Sequence, residues 1–209
     1  MKWIAATALL ASPAAADPFA VVDAARAIFD RVPEVKAIDP AAELPCGAGP
    51  QTNDAAFYCT SDKTIYHVAG FPSTPQAGYE MAHLLGHAMQ VEHGVADVAL
   101  REITRRRDEE EALRGMVTRQ VDCVAGVFVA RAGLEPVDLA QLFEGEPFTH
   151  SHWGRSPVNE GPRVSIGVSA RQEWFDIGYR ARDVAACSVG EMVADLLVAA
   201  QKSEATAGQ

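Results

Sequence analysis

Apolar residues recur at helical spacing in several stretches of this chain and alternate in only one. Residues 17–32, DPFAVVDAARAIFDRV, predict a first helix that stops before Pro33. Residues 75–93 predict a long helix, with Thr74 as cap, Pro75 in the first turn and Gly94 at the end. A second long helix is predicted over 108–132, with Gly133 as its stop. Shorter helices are predicted over 136–144, from Ser169 to about Arg182, and over 189–202, VGEMVADLLVAAQK. The β-type stretches FYC (57–59) and TIYHVA (64–69), separated by TSDK, predict a small hairpin. Residues 33–56 and 145–168, rich in proline and glycine, predict loops. No linker or composition shift divides the body. The pattern therefore gives one α+β, mainly α, domain over 17–202 and a frayed tail over 203–209.

The first sixteen residues, MKWIAATALLASPAAA, have the lysine, short apolar run and Ala-x-Ala end of a secretory signal peptide. An exported chain, periplasmic or secreted, is expected. No other apolar stretch is long enough to cross a bilayer, so no membrane span is predicted. The formal net charge is −10, one unit more negative once Lys2 leaves with the leader. That balance disfavours nucleic-acid binding. RRRDEEE at 105–111 reads as a solvated loop and helix start.

The four cysteines, Cys46, Cys59, Cys123 and Cys187, form an even set in an export product, which predicts two disulfides out of three pairings. Cys46–Cys59 closes a short local loop and leaves Cys123–Cys187 as a long-range tie. No CxxC spacing supports a cysteine-rich zinc site.

The candidate chemistry lies in GYEMAHLLGHAMQVEHG. His83 and His87 are four apart, so on a helix they share one face and can converge on one ion. An HxxxH pair alone is a weak signal. The pieces around it add up: Cys46-Gly47, Phe57-Tyr58-Cys59, Ile65-Tyr66, Ala82-His83-x-x-Gly86-His87-x-x-Gln90, Gln120-x-Asp122-Cys123-x-Ala125-Gly126, Phe148-Thr149-His150, Ser169-Ala170, Trp174-Phe175-x-x-Gly178-Tyr179 and Cys187. In this order they resemble the neutral zinc metallopeptidase family of bacteria, exported zincin-like proteins.

The resemblance implies a zincin-like domain whose site is formed by the two long helices. It implies zinc held by histidines matching His83 and His87 and by a glutamate on the second helix, with an aspartate matching Asp122 orienting a histidine. Two departures strike the chemistry. Leu84 stands where the family has the glutamate that takes a proton from the zinc-bound water. A positioned acid–base group contributes about 10²–10⁴-fold, and an aliphatic side chain exchanges no proton. Thr118 stands where the third ligand is expected, and a neutral hydroxyl is a poor substitute for a carboxylate on zinc.

Among nearby acids, Glu80 lies one turn toward the N-terminus, and Asp122 is the one substitute ligand on the right face. His150 and His152 lie in the 145–168 loop, which is longer than the family pattern. The resulting expectation is a zincin-like domain with zinc weak or absent, hydrolysis lost or severely impaired, and a peptide or protein as the partner. Two alternatives stay open: an active zinc metallopeptidase with rearranged ligands, and a structural cell-envelope protein with no ligand.

Overall fold

Asp17 opens the first helix by accepting a hydrogen bond from the Phe19 amide at 2.9 Å, an N-cap of the usual kind. In the computed structural model, which describes residues 17–39, 44–48, 55–148 and 164–202, helix α1 spans Pro18–Ile28. Strand β1 (Glu34–Ile38), β2 (Ala56–Cys59) and β3 (Thr64–Val68) follow. Then come α2 (Ala77–Glu92), α3 (Val95–Arg105), α4 (Glu110–Arg131), α5 (Leu139–Leu142), α6 (Val168–Ala181) and α7 (Asp195–Ala199). The fold is mainly helical with one small sheet. The predicted leader, the tail, His150 and His152 lie outside the described residues.

The expected hairpin is β2–β3, paired antiparallel from Ala56↔His67 to Cys59↔Thr64. β1 was expected to be loop. It pairs in parallel with β3, Glu34↔Thr64 to Ile38↔Val68, so the sheet order is β1-β3-β2. None of its residues is fully buried; main-chain pairing with β3, not an apolar pattern of its own, makes it a strand. α3 was also unforeseen. It buries Val95, Ala96, Ala99 and Ile103, a helical stripe built partly of alanine, against Leu113, Val117 and Met192.

The long helices match the sequence closely. α2 starts two residues late because the Thr74 hydroxyl donates back to the Phe71 carbonyl at 3.0 Å and closes the preceding turn. α4 ends one residue before Ala132, and Gly133 takes a positive φ of 72°. The last predicted helix is shorter than its apolar pattern. Residues 189–192 form a turn, with Val189 and Met192 exchanging backbone hydrogen bonds and Gly190 at φ 54°, which leaves only Asp195–Ala199 helical.

α4 is the axis of the core. Among the described residues it is buried almost continuously from Gln120 to Ala130. α6 lies on it at backbone distance. A Cβ on Gly178 would fall 1.8 Å from the Cys123 carbonyl oxygen, and one on Gly126 would fall 2.0 Å from that of Phe175. The Cys123–Cys187 disulfide fastens the same region, with Cα atoms 5.5 Å apart. Cys46–Cys59 ties the chain before β2 to that strand's end. Both pairings are those the spacing favoured. α2 crosses the other side of α4 antiparallel to it. They pack closely at Gly86, whose Cβ would sit 3.0 Å from Val121.

Gly178→Ala is expected to destabilise the fold by at least about 3 kcal/mol, the upper end for overpacking, because its clash is with backbone. Gly70→Ala, with nothing within 4 Å of the added carbon, should stay within about 0.5 kcal/mol. Urea denaturation of the two variants checks the contrast.

Candidate functional site

Three positions on α2, each four residues from the next, put Tyr79, His83 and His87 on one face. All three are buried. The imidazoles of His83 and His87 are 4.9 Å apart, centroid to centroid. Opposite them, at the α2–α4 crossing, stands Asp122, fully buried. Its Oδ1 accepts from His83 Nδ1 at 2.8 Å and from the Tyr79 hydroxyl at 2.9 Å. Its Oδ2 accepts from Arg171 Nη1 at 3.1 Å. The hydrogen bond from Nδ1 to a carboxylate fixes the ring and its tautomer.

Arg171 reaches Asp122 from α6 and is itself 2% exposed. Its Nε donates to Glu146 Oε1 at 2.9 Å. Glu146 also accepts from the Ile166 amide at 3.0 Å, the Gly167 amide at 3.1 Å and the Ser165 hydroxyl. It thus fastens the residues that lead into α6 to the start of the 145–168 segment. Burial works against the charged form of Glu146, but the donors from Ser165, Ile166 and Arg171 prevail and hold its carboxyl below the usual range. Burial likewise opposes the Arg171 charge and is overcome by Asp122, Tyr79 and Glu146. Burial, reinforced by the Asp122 charge, drives the Tyr79 hydroxyl well above its ordinary value.

One more described residue closes the cluster. The Phe148 ring lies flat on His83, 4.0 Å between centroids and 11° from parallel, and 6.0 Å from Tyr79. Phe148 has φ 58°, a left-handed backbone that costs a bulky residue about 1–3 kcal/mol.

Leu84 is fully buried within the main apolar core. Thr118 is half-buried, and its hydroxyl donates to the Arg114 carbonyl at 3.1 Å rather than to either histidine. The α2–α4 interface beside it is sealed by Gln90. That side chain donates to the Val117 carbonyl at 3.2 Å and to Gln120 at 2.9 Å. Glu80, in the first turn of α2, has its carboxyl raised to about 7 by burial. A groove of about 440 Å³ lies elsewhere, between α5 and α6, lined by Asp138, Gln172, Glu173 and Asp176; neither histidine borders it.

Zinc requires three or four protein arms. His83 and His87 provide two, and the Asp122 bond orients the first as a ligand histidine is oriented. Asp122 is held by three donors, Thr118 by a backbone carbonyl. Among the described residues no group of three or more His, Cys, Asp or Glu side chains is placed to hold a metal. The described residues therefore fit part of a zinc centre and not a complete one.

Tyr79, Glu146 and Arg171 were not singled out from the sequence. The signal for Arg171 was indirect: an aspartate in the middle of an apolar helix demands a cation or several donors. Comparison with family models, with curated proteins and with solved structures finds no match to this chain.

Removing Arg171 leaves Asp122 and Glu146 without their cation. Arg171→Met is expected to cost about 3–5 kcal/mol, and Arg171→Lys to recover little of it, because an ammonium cannot serve both carboxylates in the guanidinium's fork. Chemical denaturation at neutral pH measures both. Glu80 gives a second expectation. Its folded value, about 7, lies above the ordinary 4.5, so between those limits the folded state binds more protons than the unfolded one. Stability should fall as pH rises from about 4.5 to about 7, and Glu80→Gln should flatten that slope. Melting temperatures across the range check the sign.

Proposed function

We propose that this chain is an exported zincin-like domain that has given up peptide hydrolysis and works by binding a peptide or protein. The observation that carries the reading is Leu84, the residue directly after the Asp122-bound His83, which is apolar and packed into the core. In a metallopeptidase that position supplies the base that deprotonates the attacking water and returns the proton to the leaving amine. Nothing in a leucine replaces it. Glu80 has a carboxyl that titrates near neutrality, but it lies one turn away from His83 along the helix.

Several features support retention of the scaffold after loss of the chemistry. Asp122 orients His83 where α2 and α4 meet, which supports this reading. The two disulfides suit an oxidising compartment, which agrees with the leader-like first residues. No described helix is long and apolar enough to cross a membrane. Zinc, where it binds at all, would be held through His83 and His87. Its chemistry would be to polarise a carbonyl or lower the pKa of water, and position 84 offers no carboxylate that would use either.

The test is a peptidase assay with and without a chelator, on purified protein whose metal content has been measured. The expected result is no chelator-sensitive cleavage. Cleavage at the speed of an ordinary metallopeptidase would refute the proposal. The double substitution Leu84→Glu with Thr118→Glu is expected to gain zinc affinity and measurable hydrolysis. A lower melting temperature should accompany the gain, because the first glutamate enters a buried apolar position.

A further inference from the structure

We propose that the face of His83 beside Tyr79 is a seat for an aromatic side chain of a bound peptide, and that in the free protein the chain's own Phe148 occupies it. The inference rests on the peptide-binding reading above and names the kind of residue recognised.

The seat is built from fixed groups. His83 forms its floor, held flat by the hydrogen bond from Nδ1 to Asp122. Tyr79 forms a wall, its hydroxyl on the same carboxylate, with its ring backed edge-on by Phe143 at 5.6 Å and Phe175 at 5.8 Å. A planar ring placed there finds a parallel imidazole at 4.0 Å and a tilted phenol at 6.0 Å, separations at which aromatic pairs attract. The floor and wall therefore select by shape and by ring.

The occupant, by contrast, is held under constraint. Phe148 reaches the seat only by adopting a left-handed backbone, φ 58°, which a non-glycine residue accepts only when its surroundings compel it. An aromatic side chain on a separate peptide carries no such constraint and can replace it ring for ring. Replacement leaves the scaffold fastened. Glu146, two residues earlier, stays tied to Ile166, Gly167 and Arg171. None of those Glu146 bonds passes through the Phe148 ring. The chain's own ring acts as a competitor that lowers apparent affinity by the fraction of time it holds the seat.

The experiment compares the full chain with Phe148→Gly, using N-acetyl-phenylalanine amide and N-acetyl-leucine amide as probes and the histidine ring resonances as the reporter. The phenylalanine probe is expected to bind the variant about tenfold or more tightly than the parent, with ring-current shifts at His83, and the leucine probe more weakly. Equal affinity of parent and variant for the phenylalanine probe, or binding that leaves the His83 resonances unmoved, overturns the seat. The parent protein supplies a check that does not depend on the variant folding. At saturating probe the cross-relaxation between the Phe148 and His83 rings should vanish, and its persistence also overturns the proposal. Metal-dependent peptide cleavage would defeat the non-hydrolytic reading and leave the seat standing, since ring displacement is read without any hydrolysis.

Discussion

A carboxylate cannot be buried in an apolar helix bundle unless the bundle brings donors to it. Asp122 is fully buried near the middle of α4, and among the described residues its side-chain donors come from two other helices: Tyr79 and His83 from α2, Arg171 from α6. An ion left alone in such surroundings would cost several kcal/mol. The three helices must therefore meet at one level and in one register. The rest of the core is consistent with that demand. Gly126 and Gly178 let α6 approach α4 to backbone contact, and Gly86 lets α2 close on Val121. The Cys123–Cys187 disulfide begins at the residue next to Asp122. Glu146 extends the network by one more charge and anchors the segment that carries Phe148.

This arrangement separates two roles that a metallopeptidase centre combines. Holding a histidine in a ligand's orientation needs a buried acceptor and the helix crossing that positions it. Cutting a peptide needs, in addition, a carboxylate whose proton can come and go. The first requirement is built into the packing of this molecule, where removing any member would leave a buried charge or donor unsatisfied. The second rests on single side chains, and positions 84 and 118 here hold a leucine and a threonine. A leucine at 84 costs the fold nothing, since it joins the apolar core. On the reading proposed above, such chemistry disappears while the helix crossing persists for reasons of stability.

What could be read from the sequence follows the range over which each feature is determined. The long helices, their glycine stops and the hairpin are set by local pattern, and the structure keeps them within a few residues. The disulfides were legible because four cysteines leave few pairings. The i, i+4 histidines were legible from their spacing as a weak signal, and Asp122 only through the resemblance to the metallopeptidase pattern. β1 was not, because Glu34–Ile38 becomes a strand only by pairing with β3, thirty residues on. α3 was hidden by its alanines, which bury little surface each. Arg171 was hidden because nothing local marks a buried arginine. Its burial follows from the charge on Asp122, forty-nine residues away.

The ring stacked on His83 escapes a sequence reading for the same reason, although the histidine does not. Phe148 sits in a stretch with no period, and its position depends on a single backbone angle and on the ring it meets. Local preference opposes that angle. Its persistence measures how strongly the aromatic and imidazole faces attract once Asp122 and Tyr79 have fixed the floor and wall. The buried carboxylate thus acts twice. It fixes the helix crossing through its donors, and by locking the plane of His83 it presents a flat face that a ring can find. Without the hydrogen bond to Nδ1 the imidazole could rotate, and Phe148 would lose the flat face it stacks on.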